Sequence, residues 1–347
     1  MKSKNLSEKI LRSVKSRGFK YIELPSVIEA NHIVQRSGEN FRKFMFSFTD
    51  INGEELCLRP DLTIASCLRY LEGNFKGKEK IFYSGQAYRK VESKKDKIIR
   101  NQVGFEILGS KDEKKDDKEI INTSIKILQD LKFSSGTLTI GNIEIFNLLI
   151  SKLDIPKRWK LRLSRHFWRE EYFNDLLKRL ETNADIDPTI VEIDKKRYLD
   201  LLNKNPETMI AGRSVGEILK RFDTKIKDPR QAKRGNKVSK IIKSFLKISC
   251  PINKAAMELN KFFKKNKINL VVDQRYFPIS SNKLSKLNVK FSTSFGRHLE
   301  YYSGMVFKID VKSKSTTIKC AGGRYNRLIS DLGSKKQVPA VGAAFNL

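Results

Sequence analysis

The side chains best placed for chemistry alternate along Gln102-Val103-Gly104-Phe105-Glu106-Ile107. Successive side chains of a strand point to opposite faces, so Gln102, Gly104 and Glu106 share one face and Val103, Phe105 and Ile107 the other. An upstream segment carries Gly85, Ala87 and Arg89 on a single face in the same way. Paired as a hairpin, the two segments set an amide, a carboxylate and a guanidinium over a floor of Gly and Ala. A small floor with a few convergent polar groups suits a pocket for a small polar ligand. The plain alternative is an amphipathic hairpin with a solvated polar face. Two further groups carry related chemistry: Arg59, Asp61 and Thr63, and, near the C-terminus, Arg297, Tyr301 and Tyr302. Asp61 and Thr63 have a simpler use as caps of the helix that follows. Tyr302 has one as a core tyrosine with a polar tip.

These groups need elements to hold them. The central hairpin is predicted over Ile81–Arg89 and Ile98–Leu108, joined by a Lys/Asp/Glu/Ser segment that no core would accept. A second hairpin turns at Asp50-Ile51-Asn52-Gly53, because Asn-Gly tolerates positive φ. It delivers Arg59, Asp61 and Thr63 to the start of a helix over Leu62–Leu71. The opening stretch places Leu6, Ile10, Leu11 and Val14 on one helical face and stops at Arg17-Gly18; a short strand around Tyr21–Leu24 is closed by Pro25. Helical spacing of Ile120, Ile121, Ile125, Ile127 and Leu128 predicts a helix over Asp116–Leu131. From 142 to 267 the pattern is almost wholly helical. Alternation returns in INLVVDQRYF (268–277), in FSTSF and in Met305, Phe307, Ile309 and Val311, which read as core. The expected architecture is α+β: an antiparallel β-sheet flanked by helices, formed by 1–141 and 268–347 and interrupted by a mainly helical insert, 142–267.

Composition narrows the function classes. No apolar run approaches the ~20 residues of a membrane span, and the N-terminus lacks a signal peptide's apolar centre, so a cytoplasmic protein without membrane association is expected. The four cysteines, at 57, 67, 250 and 320, form no CxxC pair, and His32, His166 and His298 are equally scattered. Neither a structural metal nor a disulfide framework is expected, and the cysteines read as reduced core fillers. The net charge of +31 has two readings. One is nucleic-acid binding through phosphate neutralisation; the other is a Lys-rich codon bias spread over solvated faces. Lysines occur along the whole chain, which favours the second, so specific nucleic-acid binding is not expected. The region 225–247 is the best candidate for a basic patch.

The motifs carry a family likeness. LRPDLT (58–63), GQAYR (85–89) and RNQVGFEILG (100–109) resemble the catalytic domain of class II histidyl-tRNA synthetases. FGRHLEYYSGMVF (295–307) looks like that family's histidine-recognition motif, and AGGRYNRLISDLG followed by PAVGAAF like its final glycine-rich strands. The resemblance implies a class II aminoacyl-tRNA synthetase-like sheet and a homodimer surface built by the first helix and strand. It also implies a histidine site from Asp61, Thr63, Arg89, Gln102, Glu106, Arg297, Tyr301 and Tyr302. Asp61 stands where the family has Glu, a carboxylate with about one methylene less reach.

Departures from the pattern point to a sister family. Where synthetases place an Arg for the ATP phosphates, four residues before the Gln, this chain has Ile98. Arg100, at even spacing from Gln102, shares that residue's face. The sequence ends at Leu347, ahead of the third-motif Arg and of an anticodon-binding domain, so neither is expected. A triphosphate site stripped of two of its cationic anchors, with Arg89 retained, should not support adenylation, which depends on placed positive charge. The chain therefore resembles the regulatory subunits of ATP phosphoribosyltransferase, implying a role in histidine biosynthesis without aminoacylation and without a cofactor. The implied partners are L-histidine, as feedback signal, and a short catalytic phosphoribosyltransferase subunit, with a homodimer inside a hetero-oligomer. The alternatives are an RNA-binding synthetase paralogue and a truncated histidine–tRNA ligase.

Overall fold

The computed structural model describes residues 3–37, 39–73, 77–91, 97–133, 135–182, 188–210, 213–226, 232–279, 287–296, 301–312 and 317–347. Its strands, in chain order, are β1 (Lys20–Tyr21), β2 (Val27–Glu29), β3 (Ser47–Thr49), β4 (Glu55–Leu58), β5 (Glu79–Tyr88), β6 (Ile99–Leu108) and β7 (Gly136–Asn142). They continue with β8 (Met209–Ile210), β9 (Arg213–Ser214), β10 (Ser249–Pro251), β11 (Leu287–Ser292), β12 (Met305–Lys312), β13 (Thr317–Arg324) and β14 (Ala340–Asn346). Among the described residues, nine of them form one sheet in the order β1-β5-β6-β14-β13-β12-β7-β11-β10. Pairing is antiparallel except for β1 with β5 and β11 with β7. β2, β4 and β3 form a small sheet of their own.

By its internal contacts the chain divides into a unit of 1–145, 249–259 and 272–347 and a second unit of 146–248 and 260–271. The first holds both sheets just described. Phe105 and Phe345 stack on one face of the large sheet, and Phe19 meets Phe105 edge-on. Helix Ser3–Lys15 inserts Leu6, Ile10 and Val14 into the core, and helix Glu113–Asp130 inserts Ile120, Ile121, Ile127 and Leu128. The predicted spacing is thus realised, with Asp112 capping the second helix through the amide of Lys115. The second unit is helical around a cluster of aromatic rings: Phe146 stacks on Phe167 and meets Phe173 and Phe245. No helix among the described residues is long and apolar enough to cross a membrane.

Three local expectations need correction. The predicted strand at 268–277 is extended chain and a 3-10 turn, Gln274–Tyr276. Burial alternates only over 268–272; Lys267 takes a positive φ of 56° as the preceding helix closes, and Asp273 then caps the turn through the amide of Arg275. Within the block read as helical, Ser249–Pro251 is a strand that pairs with β11. The strand expected around Tyr21–Leu24 is only Lys20–Tyr21 and pairs parallel to β5.

Candidate functional site

The register of the sheet assembles the pocket. In an antiparallel ladder directly opposed residues share a face; Gln102 opposes Gly85 and Asn346, Gly104 opposes Tyr83 and Ala344, and Glu106 opposes Ile81 and Gly342. The Gly and Ala positions supply depth. A Cβ on Gly342 would collide with the Glu106 carboxylate, and one on Gly104 with the ring of Tyr83. Above this floor stands the start of helix Leu62–Glu72. Asp61 caps it, its Oδ1 accepting from the amide of Ile64 at 3.0 Å. The capping role read from the sequence is therefore real, and it leaves Oδ2 facing the pocket.

Asp61, Thr63, Arg89, Gln102, Glu106, Tyr301 and Tyr302 line one cavity of about 280 Å³, together with Arg100, Tyr325 and Asn346. Seven of the eight predicted site residues are brought together in this way; Arg297 lies outside the described residues. Glu106 is the centre of the arrangement and is 1% exposed. Tyr83 Oη donates to its Oε1 at 2.5 Å, Tyr325 Oη to its Oε2 at 2.6 Å, and Thr63 Oγ1 to Oε1 at 3.3 Å. Burial pushes its carboxyl up to about 7, against the opposing pull of the two tyrosine hydroxyls. Tyr301 Oη reaches Asp61 Oδ2 at 3.4 Å, and an Arg89 nitrogen stands 3.8 Å from the same oxygen. Gln102 Nε2 donates to Asn346 Oδ1 at 2.7 Å. Burial first, and then the nearby carboxylates, push the Tyr301 and Tyr302 hydroxyls up, so both stay protonated donors.

Tyr325 and Asn346, which line the pocket, and Tyr83, a buried partner of Glu106, were not singled out by the motif reading. Tyr83 was within reach of it, since it lies two residues before Gly85 on the same face. Arg59, by contrast, is a structural residue. Its guanidinium is buried and donates to the carbonyls of Leu24, Pro25 and Gln86. The pocket offers carboxylates, guanidiniums and hydroxyls, a set complementary to a small zwitterion with additional N–H groups.

Known proteins share this fold. A curated ATP phosphoribosyltransferase regulatory subunit from Agrobacterium fabrum is 27% identical over 350 residues, covering 96% of this chain and 92% of its own length. A solved ATP phosphoribosyltransferase regulatory subunit/histidyl-tRNA synthetase from Bacillus halodurans matches with TM-score 0.57 at 20% identity, covering 99% of this chain and 76% of its own. The ATP phosphoribosyl transferase complex from Thermotoga maritima contains a chain that matches with TM-score 0.54 at 18% identity, covering 100% and 98%. The family model described as histidyl-tRNA synthetase matches residues 1–347. That match spans the whole sequence, and the chain belongs to the histidyl-tRNA synthetase family.

Proposed function

We propose that this chain is the regulatory subunit of an ATP phosphoribosyltransferase in histidine biosynthesis. It activates a short catalytic subunit, binds L-histidine as feedback signal, and does not aminoacylate. The observation that carries the reading is the asymmetry of the pocket. Seven of the eight residues expected for its amino-acid half gather around Glu106, while the position that gives synthetases a phosphate-binding Arg is Ile98, with 48% of its surface exposed. The curated regulatory subunits, similar over nearly the whole chain, support the same choice. In this reading 142–267 is an insert in a synthetase-like domain made by 1–141 and 268–347, and the chain works as a homodimer inside a hetero-oligomer.

Histidine sits with its ammonium toward the carboxylates, its carboxylate toward a guanidinium, and its imidazole among Gln102, Glu106 and Tyr302. Feedback then requires unequal affinity for two conformations of the complex, since only differential binding shifts an equilibrium. The test is to purify the chain with a short catalytic subunit and follow phosphoribosyl transfer with and without it, over a histidine titration. Turnover rises on adding this chain and falls with histidine. Turnover indifferent to both, or histidine-dependent ATP–pyrophosphate exchange above background, sinks the reading.

A further inference from the structure

Arg324 and Tyr325 are consecutive at the end of β13 and point to opposite faces of the sheet. Tyr325 turns into the pocket and binds Glu106. Arg324, 4% exposed, turns to the other face and meets the first turns of helix Glu113–Asp130. Its Nε donates to Asp117 Oδ1 at 2.8 Å, and its Nη2 lies 2.7 Å from that oxygen and donates to the Glu113 carbonyl at 2.7 Å. Its Nη1 donates to Asn326 Oδ1 at 3.0 Å, and Asn326 Nδ2 donates in turn to Glu113 Oε2 at 2.9 Å. A guanidinium so fully engaged fixes the backbone that carries it.

That backbone holds the loop of the two pocket tyrosines. Ser303 N donates to the Arg324 carbonyl at 2.8 Å, and Asn326 N donates to Ser303 Oγ at 3.0 Å. Gly304 lies against the Arg324 side chain, where a Cβ would come within 3.3 Å of it. Tyr301 and Tyr302 are therefore anchored from behind, by a charged cluster that touches no part of the pocket. Asp117, Glu113 and Arg324 also line a separate cavity of about 870 Å³, so the cluster is open to its own surroundings.

We propose that Arg324 and Asp117 form a clasp that positions Tyr301 and Tyr302 and thereby sets the affinity of the pocket for its amino acid. This rests on the reading of that pocket as the histidine site. Both are positioning residues, since neither lines the pocket that takes the ligand.

The test compares the full-length protein with Arg324→Lys and with the double variant Arg324→Met/Asp117→Asn, which leaves no lone buried carboxylate. Calorimetry reads the L-histidine Kd, and amide hydrogen exchange without ligand reads the protons of Ser303 and Asn326. In the double variant those two amides exchange at least tenfold faster and the Kd rises about tenfold, the scale of coupling through a packed network. Arg324→Lys, which keeps the ion pair, recovers part of both. Wild-type exchange at Ser303 and Asn326 overturns the clasp. So does an affinity unchanged in the double variant, or exchange accelerated equally at the central strand amides of Val103 and Phe345, which marks general loosening. If the unaltered protein binds no histidine, the histidine reading fails, and the exchange measurement still decides whether the clasp holds the loop.

Discussion

Glu106 concentrates the electrostatics of the pocket. Its carboxyl is raised from 4.5 to about 7 by burial, so between those values the folded protein holds a proton that the unfolded chain has released. The stability tied to this proton is fully present below about pH 4.5 and is lost as pH rises through 7. Glu106→Gln removes the dependence, and the unliganded variant should gain about 1–3 kcal/mol over wild type at pH 8 with little difference at pH 5. Asp117, raised to about 6 by burial, titrates in the same direction but is common to both proteins. Urea unfolding at several pH values measures the difference, and parallel pH profiles would contradict it. For binding, Glu106→Ala should weaken histidine by about 1.5–3 kcal/mol, the range for a hydrogen bond to a charged group. Calorimetric affinity unchanged in this variant and in Tyr302→Phe would place the ligand elsewhere. Gln102 and Glu106 were legible because strand alternation is local. The hydroxyls of Tyr83 and Tyr325 on Glu106 were not, because they depend on the register between strands and on a residue 219 positions away in sequence.

Among the elements, β14 contributes mostly by what it omits. Gly342 opposes Glu106, and a methyl group there would occupy the space of the carboxylate. Gly342→Ala should therefore force Glu106 off Tyr325, cost about 1–3 kcal/mol in stability as overpacking does, and abolish measurable histidine binding at millimolar ligand. A variant that unfolds at the wild-type urea midpoint and still binds would show that the strand can shift aside. The central hairpin lies within two residues of its predicted ends, since turn chemistry and alternation agree there. The segment 268–277 shows the limit of that rule. Its alternation matches burial over 268–272, but only a neighbouring strand can turn an extended segment into part of a sheet.

For the whole molecule the question is the charge. Lys237 and Lys240 line a cleft of about 490 Å³ with Lys265 and Lys267, whereas Lys243 pairs with Glu181 at 2.5 Å. A +31 chain binds RNA at low salt through counterion release whatever its function. The expected outcome is weak, sequence-blind binding that collapses toward physiological salt. Replacing Lys237, Lys240 and Lys243 by Glu should lower it modestly and leave activation of the phosphoribosyltransferase partner intact. A filter-binding titration that finds tight, salt-resistant tRNA binding, removed by the triple variant, would make the RNA-binding alternative the better one.

The distribution of indole rings has an optical consequence. Both tryptophans of the sequence, Trp159 and Trp168, fall within 146–248 of the second unit, while Tyr83, Tyr301, Tyr302 and Tyr325 belong to the first. Emission excited at the red edge, where tyrosine does not absorb, reports on the second unit alone. Tyrosine difference absorbance reports mainly on the first unit, which holds eight of the ten tyrosines. Melting curves from the two signals that superimpose would mark one cooperative transition, and curves that separate would give each unit its own midpoint without any label. A histidine titration that shifts indole emission would show directly that occupancy of the pocket is transmitted to the other unit.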